Sequence, residues 1–281
     1  MKYDGIHAQR ILQKQLPDGS WGQFHSLSMQ ARAAHGITTE MALRRLQNLG
    51  FTMQDACIQR AVAYMDACLH GETAIPDPRE KTHDWDAFTE LMLSAWIRRF
   101  TQENVHANAA AEKWAAILNT AFECGVYDHS AYCAAFAKAF GHLPRGGRFV
   151  DFVSFYPLSL TAGLLDAQAE EALVRYVLQH PQGVYYICDG PVMQPPGVFA
   201  SKHTLRWLTS VELIAMHPSA KEQLRFAADW LNLHRSKDGT WDLSQAARDD
   251  ILLPLSDSWR KQETRIADCT ALIQAVLEKI Q

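Results

Sequence analysis

Four aspartates are the candidates for acid chemistry in this sequence. Asp84 and Asp86 flank a tryptophan in the segment THDWDAF, and Asp189 and Asp268 lie farther along the chain. Neighbouring carboxylates and hydrogen bonds can tune a carboxylic acid as a proton donor. The alternative for Asp84 and Asp86 is a helix start, where negative charge in the first turn is favourable. The sequence favours the helix start for this pair, and a closed cavity with two buried carboxylates would favour chemistry.

Helical periodicity dominates the elements that must position these residues. In the segment 38–49, apolar residues recur at the spacing of one buried helix face, with Thr39 as the predicted cap. The same pattern predicts about eleven helices: 6–14, 38–49, 53–69, 84–100, 107–122, 130–140, 149–165, 167–178, 202–215, 220–233 and 262–280. Two β-rich runs, 152–156 and 183–188, are too isolated to build a sheet. We therefore predict an all-α fold in a single domain spanning residues 1–281.

One short motif occurs near both ends of the chain. The segments 18–21 (DGSW) and 238–241 (DGTW) each place a tryptophan two residues after an Asp-Gly turn. A tryptophan at that position can fold back and cover the end of the preceding helix. Gln15 and Arg235 stand four residues before the two glycines, and the aromatic–Leu pair Trp230-Leu231 precedes the second copy.

Together these residues resemble the repeat of squalene cyclases and related terpenoid cyclases, in which an aromatic–Leu pair is followed by Gln, Gly and Trp. Arg10-Ile11 replaces the aromatic–Leu pair in the first copy, and Arg235 replaces Gln in the second. The resemblance implies an α/α toroid, a ring of helical hairpins around a central cavity whose first and last repeats are neighbours. Inner and outer helices alternate along such a chain. Counting forward from Trp21 and backward from Trp241 gives opposite assignments near residues 129–165, so one helix there is broken, absent or wrongly assigned.

The toroid would bring aromatic and polar residues to a ligand cavity. Tryptophan faces stabilise cations or apolar chains, although ordinary core packing is the alternative for each of them. Arg265 could contact a polar substrate head group or pair with Asp268. The candidates for substrate binding are Trp85, Trp96, Trp207, Trp259, His203 and Arg265.

The catalytic and metal motifs of that family are incomplete in this chain. Ala87 stands where the proton-donating Asp-x-Asp-Asp motif requires its last aspartate, and Asp249-Asp250 lacks the third carboxylate of the magnesium-binding Asp-Asp-x-x-Asp motif. The segments 55–57 (DAC) and 66–68 (DAC) match the short zinc pattern of protein prenyltransferases. Buried cysteines beside capping or exposed aspartates are the favoured interpretation. No metal site is predicted, and the cofactor stays unspecified.

The composition limits the classes of partner that we expect for the protein. The 281 residues carry a formal net charge of −4 with scattered Lys and Arg, which gives no basic surface for nucleic acid. No apolar stretch reaches the roughly 18 residues of a membrane span, and no signal-peptide pattern opens the sequence. The six cysteines are widely separated, as free thiols in a reducing compartment would be. We expect a cytoplasmic protein, and its oligomeric state stays open.

Two main functions follow from the sequence. The first is a prenyltransferase- or squalene cyclase-like protein that binds or transforms an apolar or isoprenoid-like small molecule in a central cavity. The alternative is a non-catalytic helical scaffold that binds a protein or peptide on its concave face. A glycan-processing toroid with paired carboxylates and aromatic platforms is a third, less favoured option. The sequence does not decide whether the protein is an enzyme.

Overall fold

The computed structural model describes residues 2–25, 36–79, 84–145 and 151–280. Within these ranges it contains twelve α-helices and no β-strand, which confirms the all-α prediction. In chain order the helices are α1 (Ile6–Leu12), α2 (Thr39–Asn48), α3 (Ala56–Leu69), α4 (Trp85–Arg98), α5 (Val105–Ala121), α6 (His129–Phe140), α7 (Phe155–Thr161), α8 (Ala167–Gln179), α9 (Lys202–Ile214), α10 (Ala220–Gln223), α11 (Arg225–Leu233) and α12 (Gln262–Ile280). A short 3-10 helix, Gln245–Ala247, lies between α11 and α12.

Side-chain caps fix where several of these helices begin. The hydroxyl of Thr38 accepts a hydrogen bond from the backbone N–H of Met41 at 3.2 Å, so the cap of α2 lies one residue before the predicted Thr39. Asn104 caps α5 and Asp128 caps α6 in the same manner. A cap of this kind typically contributes about 1 kcal/mol.

Two predicted helices differ from the structure. The segment 220–233 forms two short helices, because Leu224 between them departs from helical geometry and buries its side chain completely. The break lets both α10 and α11 pack against α12. Of the predicted helix 149–165 only α7 is helical among the described residues, and 149 and 150 lie outside them. The two β-rich runs meet in an isolated bridge between Ser154 and Tyr185.

Most helices pack against their neighbours along the chain. Helix α1 contacts α2, α3 contacts α4, and α5 contacts both α4 and α6. Helix α7 packs against α4 and α5, α8 against α5, and α9 against α7 and α12, while α10 joins α8 to α12.

The first helices also meet the segment that precedes α12. The backbone N–H of Ile6 donates to the carboxylate of Asp257 at 2.7 Å, and Arg45 donates to the carbonyl oxygen of Ile251 at 3.1 Å. Elements from the two ends of the chain are therefore neighbours.

The two Asp-Gly-Trp segments adopt the same hydrogen-bonded arrangement, which we call the clasp. Trp21 and Trp241 are 1% and 2% exposed. Each indole N–H donates to the carbonyl oxygen ten residues earlier, of Ile11 at 2.8 Å and of Leu231 at 2.7 Å. The backbone N–H of each tryptophan also donates to a threonine hydroxyl of a following helix, α2 or α12.

The clasps tolerate the exchange of Gln for Arg because both side chains make the same backbone contact. Gln15 donates to the carbonyl oxygen of Gly19 at 2.9 Å, and Arg235 donates to that of Gly239 at 3.0 Å. The guanidinium of Arg235 also lies 5.1 Å from the ring centroid of Trp241, a favourable cation–π distance.

Candidate functional site

A cavity of about 270 Å³ lies where α2, α4, α7, α9 and α12 meet, and we call it the central cavity. Its lining combines charged, amide and aromatic side chains with an apolar wall. The lining residues are Arg44, Gln47 and Asn48 of α2, Trp96 of α4, Arg99 just after α4, Phe155 of α7, Thr209 and Glu212 of α9, Leu252 of the preceding loop, and Leu272, Ala275, Val276 and Lys279 of α12.

Arg99 makes only neutral hydrogen-bonding contacts. Its guanidinium donates to the side-chain oxygen of Gln47 at 2.7 Å and to the hydroxyl of Ser159 at 3.4 Å, and it lies 3.3 Å from the sulfur of Met216. No ion pair joins Arg99 to any residue in the described ranges. Burial lowers the pKa of this guanidinium below its ordinary value. An arginine nevertheless remains a cation at neutral pH.

Arg44 and Arg99 share an aromatic floor formed by Trp96 and Phe155. The Cζ atoms of Arg44 and Arg99 lie 4.6 Å and 5.3 Å from the ring centroid of Phe155, and both lie 5.9 Å from that of Trp96. Aromatic faces attract guanidinium groups. The aromatic floor therefore contacts two like charges at the wall of one cavity.

Glu212 is the acidic side chain of the lining, and it already has a partner. Its carboxylate forms an ion pair with Lys279, which connects α9 to α12, and the Glu212 side chain keeps 30% of its exposure. Burial raises the pKa of Glu212, but Lys279 and Arg99 outweigh that effect and the pKa is lowered. The central cavity thus holds three cationic side chains and one engaged carboxylate.

A second carboxylate lies behind the aromatic floor. Glu40 is buried and accepts hydrogen bonds from the Tyr156 hydroxyl at 2.8 Å and the Trp96 indole at 3.4 Å, and the Arg44 guanidinium lies 3.5 Å away. Burial and the neighbouring Glu40 raise the pKa of the Tyr156 phenol well above its ordinary value. Glu40 therefore orients Trp96 and Arg44, two residues of the cavity wall.

The predicted acid pair lies outside the central cavity. Asp84 caps α4 by accepting from the backbone N–H of Ala87, and its carboxylate lies 2.5 Å from the ring of His142. Asp86 is 73% exposed at its side chain and pairs with Arg79 at 2.7 Å. These are the contacts of a helix start, and the two carboxylates do not share a closed cavity.

Trp85 and Asp86 line a different depression, which we call the outer groove. It is open to solvent, has a volume of about 610 Å³ and runs beside α3, α4 and α5. Its wall also contains Phe140 and the ion pair between Lys113 and Glu90 at 2.8 Å. The groove therefore contains both polar and apolar side chains.

Asp268 and Trp259 meet in a buried cluster that we call the clamp. One oxygen of Asp268 accepts four hydrogen bonds: from the backbone N–H groups of Leu255 and Ser256 at 2.9 Å each, and from the Ser256 hydroxyl and the Trp259 indole at 2.7 Å each. Asp268 itself is 2% exposed. The clamp therefore fastens the segment 255–259 to α12.

The remaining predicted residues lie apart from one another. Arg265 pairs with Asp242 through hydrogen bonds of 2.8 and 2.6 Å, and Trp207 is buried in the core. His203 and Asp189 are exposed. The structure therefore distributes the predicted set over several places instead of gathering it in one site.

The sequence identified one residue of the central cavity wall, Trp96, and none of the charged residues of that cavity. In α2, Glu40, Arg44 and Gln47 recur at helical spacing, on the side of the helix away from the apolar residues Ala42, Leu46 and Leu49. A polar stripe of this kind is typical of a solvated helix face, so its position at a cavity wall was not marked in the sequence.

No family model, curated protein or solved structure matches the chain. Across the described ranges, no group of three or more His, Cys, Asp or Glu side chains is placed to hold a metal ion. None of the helices described has both the length and the hydropathy that crossing a bilayer requires. The function is therefore inferred from the geometry of the central cavity.

Proposed function

We propose that the chain is an α/α toroid whose inner helices are α2, α4, α7, α9 and α12. Each of these contributes to the lining of the central cavity or borders it directly, whereas α1, α3, α5 and α8 contribute no lining residue. Contacts of α4 with α7, α7 with α9 and α9 with α12 connect neighbouring inner helices. The bond between Gln47 and Arg99 connects α2 to the end of α4, and Arg45 connects α2 to the segment before α12.

Helix α6 accounts for the opposite assignments reached from the two ends of the sequence. It packs against α5 and supplies no residue to the central cavity. Two consecutive outer helices, α5 and α6, then separate inner α4 from inner α7. One additional outer helix shifts the alternation by one position in the region 129–165.

We propose that this toroid binds a compact small molecule in the central cavity. The observation that carries the proposal is a cavity of about 270 Å³ whose lining combines apolar residues, including Leu272 and Val276, with the polar Arg99. At about 30 Å³ per water molecule, the space equals roughly nine waters. An isoprenoid-like ligand is therefore limited to about one five-carbon unit with a polar group, and long terpenoid chains are too large.

Binding is the activity that the lining supports best. Acid catalysis in the cavity would need a carboxylate that can give up or take a proton beside the ligand. Glu212 is held ionised by its cationic neighbours, and Glu40 lies behind the aromatic floor.

Filling the cavity tests this proposal. Ala275 lines the cavity, so Ala275→Trp should displace the ligand, whereas Gln274→Trp on the same helix changes an exposed residue outside the lining. Ligand-observed NMR with a mixture of four- to eight-carbon alcohols, amines, carboxylates and phosphate esters should detect binding to the wild type and to Gln274→Trp but not to Ala275→Trp. Absence of binding to the wild type, or binding that survives in Ala275→Trp, would contradict the proposal.

The second candidate function is a scaffold that binds a protein or peptide, and the outer groove is the feature that favours it. An open groove with both polar and apolar side chains can accept a peptide segment. Ala275→Trp would leave such binding unchanged, whereas Trp85→Ala in the groove wall would weaken it.

A further inference from the structure

We propose that the ligand of the central cavity carries a negative charge, which Arg99 and Arg44 bind over the aromatic floor. The inference depends on the proposed binding function and adds to it the chemical class of the ligand: a small carboxylate or phosphate monoester with a short apolar group.

Arg99 has only neutral hydrogen-bond acceptors around its guanidinium group. A guanidinium that is removed from water is normally compensated by an acidic partner. Here its hydrogen-bond acceptors are the neutral Gln47 and Ser159, and no carboxylate lies within ion-pair distance in the described ranges. Burial lowers the pKa of Arg99 and the neighbouring Arg44 lowers it further, and the nearby charge of Glu212 opposes these effects without reversing them.

The guanidinium groups of Arg44 and Arg99 contact the same aromatic rings. Both lie over the ring of Phe155, with their Cζ atoms 4.6 Å and 5.3 Å from its centroid. Like charges brought together in a partly buried space repel each other. An anion between them removes the repulsion and accepts hydrogen bonds from two planar forks, a geometry that suits carboxylates and phosphates.

The carboxylates near the cavity already have partners within the protein. Glu212 pairs with Lys279, and Glu40 pairs with Arg44 at 3.5 Å besides accepting hydrogen bonds from Tyr156 and Trp96. Arg99 is then the cation of the lining that has no ion-pair partner in the described ranges, and it leaves one positive charge that the protein's own acidic side chains do not pair with. The apolar wall of Leu272 and Val276 then selects an anion that also carries a hydrocarbon group.

Isothermal titration calorimetry can test the charge of the ligand with four compounds that share a 3-methylbutyl group. Their headgroups are a phosphate, a carboxylate, a hydroxyl and an ammonium. We expect the phosphate and the carboxylate to bind the wild type at least about tenfold more tightly than the alcohol, and the ammonium to bind weakest. The tighter of the two anions identifies the headgroup. Added KCl should weaken anion binding and leave the alcohol unaffected.

Variants of Arg99 connect the preference to the site. Arg99→Met should remove most of the anion preference while alcohol binding persists, and Arg99→Lys should keep part of it because the charge remains. Arg98→Met is the matched control, since Arg98 lies on the same helix but donates to Asn108 outside the cavity.

The outcomes separate this inference from the function on which it depends. If the alcohol or the ammonium binds as tightly as the anions, or if Arg99→Met keeps the full preference, the charge inference is overturned and the cavity function stands. If none of the four compounds binds the wild type, the binding function itself fails. If Arg99→Met does not fold, Arg99→Lys and the KCl titration of the wild type still decide the result.

Discussion

Asp268→Asn keeps the shape of the side chain and removes its charge, so it measures what the carboxylate contributes to the clamp. A hydrogen bond to a charged group contributes about 1.5–3 kcal/mol, against about 1 kcal/mol between neutral groups. The difference for four donors on one oxygen therefore amounts to a gross loss of about 2–8 kcal/mol. Asparagine avoids the desolvation of a buried charge, which offsets part of it. We expect the free energy of unfolding to fall by about 2–3 kcal/mol.

Urea unfolding, followed by tryptophan fluorescence and far-UV circular dichroism, measures this loss. Asp257→Asn is the matched control, because Asp257 is exposed, lies close to the clamp and accepts one hydrogen bond, from Ile6. Its loss should stay below about 1 kcal/mol. Folded Asp268→Asn should bind ligand like the wild type, since Asp268 does not line the central cavity. A stability loss below about 0.5 kcal/mol, or lost binding at unchanged stability, would refute the clamp and favour Asp268 as an acid.

Three further changes have separate readouts. Trp21→Phe and Trp241→Phe each leave a buried carbonyl without its indole donor and should each lower the free energy of unfolding by about 1–3 kcal/mol in urea, and an effect in only one would show that the clasps are not equivalent. Burial raises the pKa of Glu170, but His217 and the hydrogen bonds of Ser219 outweigh it and the pKa is lowered from 4.5, so its stabilisation is complete above about pH 4.5 and is lost as the pH falls through the folded pKa. In Glu170→Gln, the free energy of unfolding should therefore fall less steeply as the pH is lowered below about 4.5 than it does in the wild type. An unchanged pH dependence would contradict this role of Glu170. Glu212→Gln removes the carboxylate of the cavity and should strengthen binding of the anionic probes several-fold in calorimetry, whereas weaker binding would indicate that Glu212 holds the ligand.

The all-α fold and most helix positions could be predicted from the sequence because they depend on local patterns. The start of α4 shows this, since Asp84 caps the helix through an oxygen that reaches the backbone only three residues later. The break at Leu224 could not be predicted in the same way. Its residue types suit a continuous helix, and only the packing of α10 and α11 against α12 favours the interruption.

The central cavity was largely beyond sequence reasoning for a related reason. Arg44, Arg99 and Glu212 come from different helices, and their juxtaposition depends on how those helices pack, which no local spacing encodes. The clamp is similar, because Trp259 and Asp268 are nine residues apart and meet only through the folded loop between them. Conversely, the Asp-Gly-Trp repeat predicted two equivalent elements, and the two clasps have the same hydrogen bonds.

Helix α12 follows every other wall element of the central cavity along the chain and supplies four of its lining residues, among them Lys279 in its last turn. During synthesis, the wall formed by the earlier helices therefore stays open on one side until α12 leaves the ribosome. A nascent chain that lacks α12 has neither the partner of Glu212 nor the apolar wall. Ligand capture would consequently coincide with the completion of this helix, and a bound small molecule would mark chains in which the cavity wall has formed.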